Sequence, residues 1–180
     1  MRQGAEATAP PNRVLQVLPD RWRFRLDESD TGNGQGFHRT DFNDAAWPLV
    51  ATYSRTLDTQ GYDKYTVLWY RTRFAVPAKH ERLTIFFGEV DGASEVYVNG
   101  KKILVPEPAP SAKKPAAATT PGARPPREGL AKARTPFEVD VTAAVRPGEN
   151  VLALRVDHSK MTELSLGGIV RPVLLIEKPK

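Results

Sequence analysis

The stretch Phe87–Gly100, which reads FGEVDGASEVYVNG, carries the clearest structural signal in this chain of 180 residues. Near its end, Asn99-Gly100 separates two strand-like runs, Glu95–Val98 and Lys101–Val105. Asn-Gly between two such runs is a strong hairpin signal, because both residues accept the positive φ angles that a tight β-turn requires. The stretch therefore predicts a pair of antiparallel strands.

The flanking sequence continues as short strands separated by turns. Trp22, Phe24 and Leu26 alternate with arginines, which is typical of a half-buried strand. Further strands are predicted at Val67–Val76, Leu83–Phe87, Phe137–Val139, Val151–Val156 and Val170–Ile176. About eight short antiparallel strands, with helical signals no longer than one turn, predict an all-β jelly-roll β-sandwich.

The chain length predicts a single domain, which we place at residues 13–178, after a disordered tail at 1–12. A segment rich in Pro, Ala and Lys interrupts it at residues 106–135; the stretch from Pro106 to Pro136 holds 8 of the 16 prolines. It offers too little apolar surface to offset the entropy of ordering, so we expect a disordered insertion. Neither flank has enough strands for a sandwich alone, so the insertion is predicted to interrupt one fold.

Composition excludes several function classes. Six bases and two acids in the same Pro-rich segment account for +4 of the net charge of +5, so the rest is nearly neutral and no nucleic-acid partner is expected. The absence of Cys excludes disulfides and cysteine-based metal sites. No apolar run reaches the ~18–20 residues of a membrane span. Met1–Pro11 has no signal-peptide pattern, which leaves open a cytoplasmic protein or an exported one whose signal is missing.

Seven segments occur in an order that characterises a known family. They are Trp22–Asp27 (WRFRLD), Asp41–Pro48 (DFNDAAWP), Trp69–Pro77 (WYRTRFAVP), Phe87–Gly100, Pro136–Thr142 (PFEVDVT), Gly148–Val156 (GENVLALRV) and Gly167–Val173 (GGIVRPV). In this order the chain resembles the N-terminal sugar-binding domain of family 2 glycoside hydrolases, the β-galactosidase and β-glucuronidase group. The resemblance implies a galactose-binding-domain-like jelly roll.

The same resemblance implies a non-catalytic accessory module. In such hydrolases the two catalytic carboxylates lie on a separate barrel domain, for which this chain has no room, so no catalytic residue is expected. By resemblance, sugar contacts come from two loops, which fall here at Asp58–Lys64 and His158–Leu166. Where some relatives place an Asn or an acidic group, these loops offer Asp63 and Glu163.

The residues themselves suggest a sugar-binding surface in the same region. A sugar site needs flat aromatic faces and planar polar groups. Tyr53, Tyr62 and Tyr65 supply the rings, interleaved with Asp63. We therefore expect weak carbohydrate binding through Tyr53, Tyr62, Asp63, Tyr65 and Glu163, without metal or cofactor. The glycine-rich Gly32–Gly36 precedes no helix signal, which disfavours phosphate binding.

Two alternatives remain open from the sequence. The first is a structural sandwich that binds a protein partner or another domain and has no sugar site. The second, least favoured, is a glycoside hydrolase in its own right, because no pair of carboxylates has a recognisable catalytic spacing. The sequence does not name the sugar or the oligomeric state.

Overall fold

The computed structural model describes residues 11–105, 135–160 and 167–179, and their regular structure is almost entirely β. The strands are β1 Arg13–Val17, β2 Arg21–Asp27, β3 Leu49–Ala51, β4 Val67–Val76, β5 Arg82–Phe87, β6 Val90–Asp91, β7 Ala93–Val98, β8 Lys101–Ile103, β9 Phe137–Asp140, β10 Gly148–Asp157, β11 Gly168–Ile169 and β12 Val173–Lys178. Within the described ranges, the one helical element is a 3-10 turn at Asp58–Gln60.

The strands form two main antiparallel sheets. One has the order β1-β12-β5-β9, the other β3-β2-β4-β10-β7-β8, and β6 pairs with β11 in a short ribbon. The prediction of an all-β antiparallel jelly-roll sandwich is confirmed. The described residues form twelve strands where about eight were predicted: β1, β3, β6 and β11 were not predicted, and β3, β6 and β11 have only two or three residues, too few for a periodic pattern.

The long strands carry the predicted faces. In β4, Leu68, Tyr70, Phe74 and Val76 lie in the core between the sheets. This core also takes Trp22 and Phe24 from β2, and Leu152 and Leu154 from β10. Because successive side chains of a strand point to opposite faces, Trp69 and Arg71 of β4 lie on the outer face of the six-stranded sheet.

That outer face is covered by residues 28–48, which we call the covering loop. Phe37 and Trp47 of this loop pack with Trp69 and Tyr97 into a second, smaller cluster. The carboxylate of Asp27 holds the start of the loop, accepting hydrogen bonds from Thr31 N (3.0 Å), Gly32 N (2.8 Å) and the Trp69 indole Nε1 (3.1 Å). The glycine-rich segment is thus fixed to the sheet by a carboxylate.

Strands on both sides of residues 106–134 belong to the same sheets. β10 pairs with β4 over ten residues and with β7 over six, and β5 pairs with both β9 and β12. The predicted disordered insertion at 106–135 and tail at 1–12 lie outside the described residues, apart from Thr135, Pro11 and Asn12. Their disorder stays a prediction.

Asn99 and Gly100 form the predicted hairpin turn between β7 and β8. Both have positive φ, 51° and 81°, as a tight hairpin turn requires. The Asn99 side chain also ties the turn to β10, because its Oδ1 accepts the N–H of Val151 (3.0 Å) and its Nδ2 donates to Asn150 Oδ1 (2.7 Å). Asn99 is a structural residue, as predicted.

Candidate functional site

Most of the predicted sugar-binding residues lie in one segment, residues 52–66, which joins β3 to β4 and which we call the tyrosine loop. Asp20, in the turn before β2, fixes its first residues. The Asp20 carboxylate accepts hydrogen bonds from the N–H groups of Thr52 (3.1 Å), Tyr53 (3.0 Å) and Ser54 (3.2 Å), and from the Ser54 hydroxyl. Tyr53 is therefore held by its backbone, and its side chain is 36% exposed.

The same contacts set the charge state of Asp20. Burial raises the pKa of this carboxyl. The hydrogen bonds from the Ser54 hydroxyl and from the N–H groups of Tyr53, Ser54 and Thr52 favour the carboxylate and outweigh burial. The pKa of Asp20 therefore lies below its ordinary value. Asp20 is ionised at neutral pH and acts as a permanent anchor for the loop.

The middle of the tyrosine loop folds back on β3 through Gln60. Its side-chain oxygen accepts the N–H of Ala51 (2.8 Å), and its amide nitrogen donates to the carbonyl groups of Ala51 (3.0 Å) and Thr56 (3.1 Å). Tyr62 N then donates to Leu57 O (3.0 Å). These bonds hold the loop in one conformation between its two anchor strands.

Tyr62 is half-buried and faces β2. Its ring packs edge-on against Phe24, with the ring centroids 4.8 Å apart and an interplanar angle of 66°. Tyr62 also lines an open pocket of about 310 Å³, together with Trp47 and Arg25. Tyr62 is thus both a core contact and the wall of a small pocket.

Tyr65 presents an aromatic ring at the end of the sandwich. The ring stacks on the imidazole of His158, with the centroids 5.5 Å apart and the planes only 18° from parallel. His158 is 4% exposed and Tyr65 is 52% exposed. One face of the Tyr65 ring is therefore covered, and the opposite face is open to solvent.

His158 connects the two loops that the resemblance pointed to. Its backbone N donates to Thr66 O (3.2 Å) at the end of the tyrosine loop. A Cβ built on Gly167 would lie 3.4 Å from both His158 Nε2 and Leu57 Cδ1, so the chain returns beside both groups after residues 161–166. The two predicted loops are brought to the same end of the molecule as far as the described residues reach.

The remaining predicted site residues divide into two cases. Asp63 lies in the tyrosine loop and is exposed. Glu163 falls within residues 161–166, outside the described part of the chain. In the described ranges, no group of three or more His, Asp or Glu side chains is arranged to hold a metal ion, and no helix is long and apolar enough to cross a membrane.

Sequence reasoning missed the burial of a charged side chain beneath the covering loop. Strand alternation favours an outward-facing charge at Arg71, yet this residue is 0% exposed. Its Nε donates to Asp44 Oδ2 (2.7 Å) and its Nη1 donates to the Phe37 carbonyl oxygen. The sequence offers no local signal for this contact, because the covering loop that buries Arg71 lies far from it in the chain.

The relatives found for this chain are a β-galactosidase and several β-glucuronidases, and it matches a small part of each. No family model matches it. The curated β-galactosidase of Vibrio vulnificus (strain CMCP6) is 28% identical over 195 residues, covering 92% of this chain and 16% of that enzyme. A solved β-glucuronidase from an uncultured Clostridium sp. superposes with a TM-score of 0.65 at 23% identity, over 100% of this chain and 31% of that one.

Other solved β-glucuronidases give the same result. The Lactobacillus rhamnosus protein has a TM-score of 0.66 at 20% identity, over 98% of this chain and 30% of that one. The Ruminococcus gnavus protein in complex with uronic isofagomine has a TM-score of 0.68 at 17% identity, over 94% and 28%. The chain therefore matches one small domain of a family 2 glycoside hydrolase and spans 16–31% of these relatives' length, which confirms the predicted resemblance.

Proposed function

We propose that this domain is a non-catalytic carbohydrate-binding accessory module, and that the sugar contacts the tyrosine loop. The match to one part of family 2 glycosidases fits an accessory module. The observation that supports this proposal most directly is the Tyr65 ring. One face of the ring stacks on buried His158, and the other face is open to solvent. A fixed, open aromatic face is what the C–H edge of a sugar ring packs against.

Tyr53, Asp63 and Glu163 complete the proposed contact surface. Tyr53 and Asp63 are exposed on the same loop as Tyr65. A carboxylate such as Asp63 accepts hydrogen bonds from sugar hydroxyls. The surface is open rather than enclosed, so the proposed binding is weak, with dissociation constants in the millimolar range, about 4 kcal/mol of binding free energy.

Calorimetry with a panel of neutral monosaccharides tests this proposal. Tyr65→Ala removes the stacking face and is expected to weaken binding at least tenfold, whereas Tyr65→Phe keeps the face and is expected to bind like the wild type. Leu104→Ala is a matched surface control, because Leu104 is 90% exposed in another segment. Binding that survives Tyr65→Ala unchanged would contradict the proposed site.

A structural or protein-interaction role without a sugar site is the second candidate. The observation that favours it is the edge strand β1, where Val14 and Val17 are 52% and 53% exposed. Exposed apolar side chains along a sheet edge are suited to packing against another domain. A chain that binds no sugar at millimolar concentration would favour this second candidate.

A further inference from the structure

The covering loop holds a histidine in surroundings that exist only while the loop lies on the sheet. His38 follows Phe37, the residue by which the loop enters the second cluster. The His38 ring stacks on Tyr97 of β7, with the centroids 4.9 Å apart and the planes 30° from parallel. His38 is half-buried, and its Nδ1 atom is buried. The cost of charging His38 therefore depends on the position of the loop.

The charged groups that act on the His38 ring are cations, Arg39 and Arg71. Arg71 of β4 is 0% exposed, and its Nη1 donates to the carbonyl oxygen of Phe37, the residue before His38. Among the described residues, neither Nδ1 of His38 nor Nη2 of Arg71 has a hydrogen-bond partner. A proton on His38 would thus add a positive charge beside a buried guanidinium.

The acidic groups of the covering loop on this side are already bonded to arginines. Asp44 accepts a hydrogen bond from Arg71 Nε (2.7 Å). Asp41 accepts two hydrogen bonds from Arg39, at 2.9 and 2.8 Å. A protonated His38 would gain either carboxylate only at the expense of an existing ion pair.

The groups on the Tyr97 side of the ring are also paired. Burial and the bond to Glu95 raise the pKa of the Tyr97 hydroxyl, which stays neutral and donates to Glu95 Oε2 (2.6 Å). The same oxygen accepts from Lys102 Nζ (2.9 Å), and this ammonium lies 6.0 Å from the centroid of the Tyr97 ring. The carboxylate on this side is therefore already bonded, and a further cation stands beside it.

These surroundings favour the neutral imidazole. Burial, and then the charges of Arg39 and Arg71, lower the pKa of His38 below its ordinary 6.5. In an open loop the ring would meet water, and its pKa would return to about 6.5. Below that value the open form binds a proton more readily than the closed form, so the closed form loses stability as the pH falls. Above that value both forms are neutral, and His38 contributes no pH dependence.

We propose that the covering loop is a pH-sensitive flap, which the neutral His38 ring holds on the sheet and which a proton on that ring releases. Release uncovers an aromatic face of the six-stranded sheet, because Phe37 and Trp47 leave Trp69 and Tyr97. Histidine is the side chain whose ordinary pKa permits such a switch in mildly acidic solution. This regulation belongs to the covering loop and does not depend on sugar binding at the tyrosine loop.

Amide hydrogen exchange of the ¹⁵N-labelled chain at about pH 7.5 and about pH 5, divided by the intrinsic exchange rate at each pH, measures the opening of the loop. The reporters are the N–H groups of Phe37, Arg39 and Trp47, which donate to carbonyl groups within the loop. Their opening equilibrium is expected to rise at least about threefold at the lower pH, while the amides of β10 stay protected. An unchanged opening equilibrium, or an equal rise throughout β10, would overturn the proposal.

Two histidine substitutions assign the effect. His38→Gln keeps a polar side chain that takes up no proton, and its loop is expected to open equally at both pH values. His80→Gln is the matched control, because His80 lies between β4 and β5, outside the covering loop, and it should keep the wild-type pH dependence. A pH dependence that persists in His38→Gln would overturn the proposal. If His38→Gln does not fold, the ring signals of His38 in the wild type decide: titration below pH 6.5 supports the flap, and titration at or above 6.5 overturns it.

Discussion

Single residues determine how the tyrosine loop is held, and Asp20 is the first of them. Its carboxylate receives three backbone N–H groups and one hydroxyl from the start of the tyrosine loop. We expect Asp20→Asn to lower the free energy of unfolding by about 1 kcal/mol, because a charged acceptor is lost at a partly solvated position. Hydrogen exchange of the Thr52, Tyr53 and Ser54 amides should accelerate in the variant.

The Asp20 effect should depend on pH in one direction. The folded chain lowers the pKa of this carboxyl below its ordinary 3.8, so its stabilisation is complete above that value and is lost as the pH falls below it. The difference in stability between wild type and Asp20→Asn should therefore shrink below about pH 3.8. Asp63→Asn is the control, and an equal effect of both substitutions would contradict the anchoring role.

Gly168 is a second residue whose identity the structure requires. Its φ is +66°, and a Cβ at this position would overlap the hydroxyl of the buried Tyr70. We expect Gly168→Ala to destabilise the fold by about 3 kcal/mol or more, from backbone strain and steric overlap together. Thermal or chemical denaturation measures this change.

Gly61 provides the matched comparison for Gly168. Its φ is +87°, but a Cβ added at this position would meet nothing within 4 Å. Gly61→Ala should therefore lower the free energy of unfolding by only about 1 kcal/mol, from backbone strain alone. Equal costs for the two substitutions would show that Tyr70 does not restrict position 168.

Among elements, the covering loop depends on one buried ion pair with β4. Arg71 is 0% exposed and bonds Asp44 of that loop at 2.7 Å. We expect Asp44→Ala to lower the free energy of unfolding by about 3–5 kcal/mol, because it leaves the buried guanidinium of Arg71 without its carboxylate. Urea denaturation, with Trp fluorescence reporting the Trp47 and Trp69 cluster, measures the loss.

Arg73 is the control for Arg71 on the same face of the same strand. Arg73 is 47% exposed, pairs with Glu149 at 3.3 Å and lies 4.0 Å from Asp44, so Arg73→Gln should lower the free energy of unfolding by less than about 1 kcal/mol. A comparably large loss from Arg73→Gln would mean that charge on this face, rather than the buried contact, stabilises the covering loop.

The predictable elements are those whose signal is local. The hairpin could be predicted from Asn99-Gly100, because its turn requires residues that accept positive φ. The strand β2 could be predicted from the alternation at Arg21–Leu26. The burial of Arg71 could not be predicted, since periodicity assigns a residue to a face but does not say what covers that face. The stacking of Tyr65 on His158 could not be predicted for the same reason, because the two residues lie at the ends of two different strands.

At the scale of the whole molecule, the two parts of the chain complete each other's sheets. β4 pairs along its full length with β10, and β5 lies between β9 and β12. We expect residues 1–105 and 135–180, produced separately, to show no cooperative unfolding transition, and the two fragments mixed to regain one. Circular dichroism during heating measures this, and a cooperative transition of 1–105 alone would contradict the shared sandwich.

The most direct measurement of the central claim is a map of the amide signals that move when a neutral monosaccharide is added to the labelled chain. Sugar contact at the tyrosine loop predicts that the largest shifts fall on residues 53–65 and on His158, and that they disappear in Tyr65→Ala. Saturation at millimolar sugar without shifts in these residues, or no shifts at all, would contradict carbohydrate binding at this surface.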